Sequence, residues 1–169
     1  RELGEAEASS AAGVSLATDV FNAVEALLPR VSKTLLAYPK LCAAYLGLVS
    51  ALLDAHPRRA LGLSPSLAAA LRAGLEYGIC HHEASVSQTA LETLYELARR
   101  YALLEGSLSR TEGTAQLLAS LFDRLVLQLF SCRLHPDVLD PAAGNALLAL
   151  LLTCAARWEA LVASIREGC

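Results

Sequence analysis

The chain has 169 residues, 54% of them hydrophobic, and sets 14 Lys+Arg against 17 Asp+Glu for a formal charge of −3. That is apolar enough for a large core in one domain, and the charge leaves no general basic surface for phosphate backbones, which argues against nucleic acid as a partner. The longest weakly polar run, residues 41–53, falls short of the roughly 20 residues that span a hydrocarbon core. The acidic, small-residue opening has no signal-peptide pattern, so the chain reads as soluble, without membrane insertion.

Leu and Ala dominate, aromatic residues are 5%, and β-branched alternation is absent, so the periodicity predicts helices throughout. Residues 1–13 are expected to be a flexible N-terminal segment and 14–169 a single helical domain. The first helix is expected over 16–37 with Pro29 inside it, and its partner over 39–55. Ser64-Pro65, a cap followed by proline at the first helical position, opens the second pair. That helix runs to about Cys80, and its partner from 83–85 to about Leu104, where Glu105-Gly106 stops it. The third pair is expected over 111–131 and from Asp140-Pro141 to Trp158 or beyond. First members begin near Leu16, Pro65 and Glu112, a spacing of about 47 to 49 residues, at the upper edge for repeats built of helix pairs.

Within 38–57, Lys40, Ala43, Gly47, Ser50 and Asp54 form one narrow polar stripe. The rest of that helix is expected to be covered, as in the inner layer of a stack. Gln88, Glu92, Glu96 and Arg99 make the matching stripe on the next inner helix, opposite Val86, Ala90, Leu94, Leu97 and Tyr101. Ser50, Asp54, Gln88, Glu92, Glu96 and Arg99 are therefore the candidate partner-binding residues, on one concave surface. Gly74 and Gly78 form a GxxxG, which in a soluble chain marks close helix packing.

The five cysteines, Cys42, Cys80, Cys132, Cys154 and Cys169, are scattered and odd in number. They read as reduced thiols of a cytosolic or nuclear protein. Cys80-His81-His82-Glu83 is the most metal-like cluster, but adjacent residues cannot all converge on one ion, and no second ligand pair stands at zinc-site spacing. It reads as a polar turn. No nucleophile elbow, dinucleotide fingerprint or phosphate loop is present, so no catalytic site, cofactor or metal is expected. There is no methionine anywhere, and the chain is expected to be a fragment lacking its natural start.

AVEALLPRVSKTLL followed by YPKLCAAYLGLVSALL, and SLAAALRAGLEYGICHHEASVSQTALETLYELA, resemble HEAT repeats. YPKLCAAYLGLVSALLDAHP, GLEYGICHHEASVSQTALETL, DVLDPAAGNALLALLLTC and RWEALVASI resemble successive parts of the C-terminal repeats of the exportin-4 branch of the importin-β superfamily. The resemblance runs from about Val24 to Ile165 and rests on packing patterns. It implies an all-α HEAT-repeat α-solenoid of about three antiparallel helix pairs without strands. The parent would be a Ran-dependent nuclear export receptor that binds protein cargo and Ran-GTP, passes nuclear pore proteins and shuttles between nucleus and cytoplasm. This chain would be its C-terminal scaffold portion. The main Ran-binding segments of that superfamily lie near its N-terminus, so no family motif falls on particular residues here. The competing readings are a cytoplasmic HEAT scaffold unrelated to transport, a compact helical regulatory bundle, and a helical enzyme.

Overall fold

In the computed structural model, which describes residues 18–56, 59, 62–103 and 112–167, α1 is helical through 18–27 and stops against Pro29. Proline cannot donate to the preceding turn and its ring crowds it. The chain therefore tightens into a 3-10 turn over Leu28–Arg30 and becomes extended at Val31 (φ −75°, ψ 110°). Ser32 then starts a new short helix, α2 (Lys33–Leu36), its hydroxyl oxygen accepting from the Leu35 N–H at 3.4 Å. The single first helix expected over 16–37 is thus two helices joined by a turn. The flexible segment expected over 1–13 lies outside the described residues.

Three long helices follow at their expected places: α3 (Pro39–Ala55), α4 (Pro65–Ile79) and α5 (Ala84–Leu103). Ser64 caps α4 by accepting from the Leu67 N–H at 3.4 Å. The next helix, α6 (Glu112–Phe130), ends through Cys132, whose φ of 50° is left-handed. There the Arg133 N–H reaches the Gln128 carbonyl at 3.0 Å and the Cys132 N–H that of Leu129 at 3.1 Å, the bond pair of a Schellman close.

The last expected helix is not one helix. Asp140 is extended (φ −130°, ψ 127°), as a residue before proline prefers, and the regular helix α7 begins only at Gly144 and ends at Thr153. At Cys154 (φ −120°, ψ 36°) the chain breaks, and α8 (Ala155–Glu167) leaves at 99° to the segment before it. The Thr153 hydroxyl, 3.1 Å from the carbonyls of both Ala149 and Leu150, is the local cause, since such back-bonding bends helices. Arg157 is the tertiary one: its Nε donates to Asp123 Oδ1 at 2.7 Å and a terminal nitrogen pairs with Oδ2, tying α8 to α6. Among the described residues there is no strand, and no single helix is long and apolar enough to cross a membrane.

The fold is all-α. The main packing partners of α5 are α3, α4 and α7, and those of α4 are α2, α3, α5, α6 and the Leu28–Arg30 turn. These two middle helices carry the heart of the core, with Leu67, Leu71, Leu75, Leu91, Leu94 and Leu97 fully buried. Two hydroxyls enclosed with them are satisfied: Ser87 donates to the Ile79 carbonyl at 3.1 Å and Thr93 to that of Thr89 at 2.7 Å.

The GxxxG on α4 is a packing groove. A Cβ on Gly74 would stand 2.2 Å from Tyr45 Cε1, and one on Gly78 would stand 2.7 Å from Ala90 Cβ and 3.1 Å from Leu46 Cδ1. Glycine thus lets α3 and α5 close onto α4 together. Tyr45 fixes the α3 side, its hydroxyl donating to the Ala70 carbonyl at 3.0 Å. Burial, with Cys42 adding to it, pushes the Tyr45 phenol up to about 12.

The expectation that α3 is covered on all but one stripe does not hold. Its buried positions are Cys42, Tyr45, Leu46, Val49, Leu52 and Leu53, a single face at spacings of three and four. Leu41, Ala44, Leu48 and Ala51 are exposed beside the predicted polar stripe, because α2, α4 and α5, the main partners of α3, leave that side open.

Gly74→Ala is expected to destabilise the protein by about 1–2 kcal/mol, because overpacking outweighs the gain in helix propensity. Gly47→Ala, where a Cβ meets nothing within 4 Å, should instead stabilise it by about 0.5–1 kcal/mol. Urea unfolding of both variants distinguishes a packing groove from two incidental glycines.

A second outcome concerns alkaline pH. The native state holds the Tyr45 proton up to about 12, whereas the unfolded chain releases it near 10. This contribution is present in full below pH about 10 and disappears as pH rises towards 12. Stability measured between pH 9 and 11.5 should fall less steeply in Tyr45→Phe than in the unsubstituted protein.

Candidate functional site

The predicted binding stripe lies on α3 and α5, which pack against each other. Gln88, Glu92 and Arg99 are exposed, Asp54 is exposed at the end of α3, and Ser50 and Glu96 are half-buried. Helical spacing aligns them on each element, and the structure joins part of the set across elements through Arg100, which lies off the predicted stripe.

Arg100 has 18% side-chain exposure. Its guanidinium donates to the Leu53 carbonyl and pairs with Asp54 on α3, while its Nε lies 3.5 Å from Glu96 Oε2 on its own helix. Leu53 lies in the last turn of α3, where carbonyls have no intrahelical partner. Arg100 therefore acts as a tertiary cap that brings a cation to the negative end of that helix. Glu96 also accepts from Arg99 at 3.0 Å, and this bond holds the Arg99 guanidinium above its ordinary pKa, firmly charged. Asp54, Glu96, Arg99 and Arg100 form one network.

Within the stripe Gln88 and Glu92 are coupled to each other, Gln88 Nε2 donating to Glu92 Oε1 at 2.8 Å. Ser50 stands one turn before Asp54 on α3. Three carboxylates against two guanidiniums make the patch weakly acidic. Asp54, Glu96, Arg99 and Arg100 are paired, Glu92 has only the Gln88 amide, and most of the patch is wet, so it can select a partner by charge pattern more than by strength.

The sequence pointed to Glu96 and Arg99 because three positions separate them on a helix. Arg100 carries a similar signal, four positions from Glu96, but its contact with α3 spans 46 residues and leaves no trace in local spacing.

The Cys80-His81-His82-Glu83 cluster is a turn between α4 and α5, as expected. His81 is buried, accepts at Nδ1 from the Glu83 N–H at 3.0 Å, and stacks on His82 with ring centroids 4.4 Å apart. Burial, then the neighbouring His82, lowers its pKa, so it is neutral at pH 7. Among the described residues no three His, Cys, Asp or Glu side chains converge as a metal site needs. Cys42, Cys80, Cys132 and Cys154 are free thiols, and burial pushes the Cys42 and Cys154 thiols up. Cys169 lies outside the described residues.

No family model matches the chain, and no solved structure matches it at a significant level.

Arg100→Met should lower the unfolding free energy by about 1–3 kcal/mol, since a charged donor to Leu53 and Glu96 is lost. Glu92→Gln, on the exposed part of the same stripe, should change it by less than about 0.5 kcal/mol. Chemical denaturation of the two variants at one pH checks whether Arg100, and not the predicted stripe, ties α3 to α5.

Proposed function

We propose that this chain is a segment of an α-solenoid that acts as a protein-binding scaffold with no chemistry of its own. The observation that carries this reading is how packing and exposure are distributed. Among the described helices α4 packs on α6, on α2 and on the Leu28–Arg30 turn, while α5 packs on α3 and α7, contacts that a stack of helix pairs would make. Large exposed hydrophobic residues collect on the outer pairs: Val20, Leu27, Leu41 and Leu48 on the first, Leu127, Phe130, Leu148 and Leu152 on the last. The middle pair has Leu103 alone. In a stack each repeat buries its faces only against its neighbours, so an outer pair without a polar capping face and without a further neighbour keeps apolar residues exposed.

A compact bundle wrapped around α5 fits less well, since such a helix would be enclosed, and Gln88, Glu92 and Arg99 are exposed. The resemblance of the chain to the C-terminal HEAT repeats of nuclear export receptors supplies the biological reading. The parent binds protein cargo together with Ran-GTP and shuttles between nucleus and cytoplasm, and the surface of Ser50, Asp54, Gln88, Glu92, Glu96 and Arg99 meets a basic partner. Transport and scaffold readings separate in one experiment. Proteins captured by the full-length parent are compared with and without Ran loaded with GTP. Capture that rises with Ran-GTP and weakens on Glu92→Lys/Glu96→Lys supports export through this surface. Capture indifferent to Ran removes the transport reading and leaves the scaffold.

A further inference from the structure

At the other end of α5 from Arg100, three segments far apart in sequence enclose an open pocket of about 420 Å³. Cys80, His81 and His82 come from the α4–α5 turn, Arg124 and Gln128 from α6, and Arg133, Leu134 and His135 from the segment after the Cys132 cap. In a chain of net charge −3, this wall holds two arginines, three histidines and no carboxylate. We propose that it is a binding site for a phosphate monoester dianion.

Neither arginine has a carboxylate partner among the described residues. The Arg124 Nε donates to Cys80 Sγ at 3.2 Å, which holds the guanidinium against the turn and leaves its two terminal nitrogens for a ligand. That planar, two-pronged donor matches an oxyanion better than an ammonium would. Gln128, with 4% exposure, adds a buried amide to the wall.

His81 supplies an independent sign. Its Nδ1 accepts from the Glu83 N–H, so the neutral ring carries its proton on Nε2. That nitrogen is the one buried side-chain N or O atom among the described residues that lacks a hydrogen-bond partner. A buried donor without an acceptor costs free energy, and because His81 lines the pocket, an anionic oxygen would satisfy that donor once the turn shifts to admit it. Of the acidic residues in the same turns, Glu83 accepts from the Ser85 hydroxyl at 3.2 Å, and Asp137 stands 3.5 Å from Nδ1 of the wall's own His135, so the unopposed positive charge of the wall is that of Arg124 and Arg133. The wall has no aromatic residue apart from the histidines and one aliphatic side chain, Leu134. It therefore recognises the phosphoryl group and not a base or ring attached to it. This site is independent of the acidic surface on α3 and α5.

The test is titration of the full chain with inorganic phosphate and with a phosphoserine peptide, at matched ionic strength, followed by calorimetry and by the backbone amide signals of residues 80–83. Saturable binding that shifts those signals is expected, and Arg124→Gln or Arg133→Gln should each weaken it about tenfold or more. Arg72→Gln, on a different pocket, should leave it unchanged. A phosphopeptide that binds more tightly than inorganic phosphate, and more tightly than its unphosphorylated form, assigns the phosphoryl group to a partner protein. Equal binding of peptide and ion assigns it to a free small phosphate. Should neither saturate, or should Arg72→Gln weaken binding as much as the pocket variants, the site is overturned. Arg133 is exposed, so its variant reports on binding even if Arg124→Gln disturbs the α6 packing.

Discussion

The missing side chains of Gly74 and Gly78 make the centre of this fold possible. Across one turn of α4, glycine admits Tyr45 from α3 and Ala90 from α5 at separations a Cβ would violate, with Leu46 of α3 in tight contact beside them. The three helices then share one buried seam of Leu46, Leu71, Leu75, Leu91 and Leu94. Glycine inside a helix costs about 1 kcal/mol in propensity, an amount offset by the dispersion contacts that close approach allows. The Tyr45 hydroxyl is satisfied by the Ala70 carbonyl, so a phenol can lie in that seam without an unpaired polar group.

Everything outward from the seam follows the chain's punctuation. Pro29 ends α1, Ser32 begins α2, and Ser64 with Pro65 begins α4. The left-handed Cys132 turns the chain back after α6. Each device acts within a few residues, by removing a donor, supplying a cap or reversing the backbone. The result is a set of helices of defined length whose apolar faces meet along α4 and α5.

Polar chemistry gathers where helices end, because only there does the backbone leave groups to satisfy. Arg100 reaches the last turn of α3, and Arg157 secures α8 against Asp123. Arg124 lies against the α4–α5 turn with no carboxylate partner among the described residues. The first two arginines neutralise acidic partners and hold helices together. The third shares a wall with Arg133 and three histidines, so it confronts solvent with unspent positive charge.

Helix placement was legible where apolar spacing carried it, although the break at Pro29 and the late start of α7 after Asp140-Pro141, both local in cause, were not. The spacing of apolar residues located α3, α4, α5 and α6, the Ser64-Pro65 pair marked the start of α4, and the two glycines announced close packing. The exposed stripe of Gln88, Glu92 and Arg99 was equally legible, since helical periodicity assigns a residue to a face whatever lies opposite. Periodicity cannot say what covers the other faces, so the open side of α3 with Leu41 and Leu48 escaped it. The sequence also has no proline or glycine at Cys154, and the turn into α8 became definite only with Arg157 set against Asp123. The same holds for Arg100 on Asp54 and for Arg124 beside Cys80, contacts that span 46 and 44 residues. Short-range steric and hydrogen-bonding preferences are written into neighbouring residues and determine the helices, whereas ion pairs and pocket walls depend on which helix ends meet. That meeting is decided by the packing of the whole core.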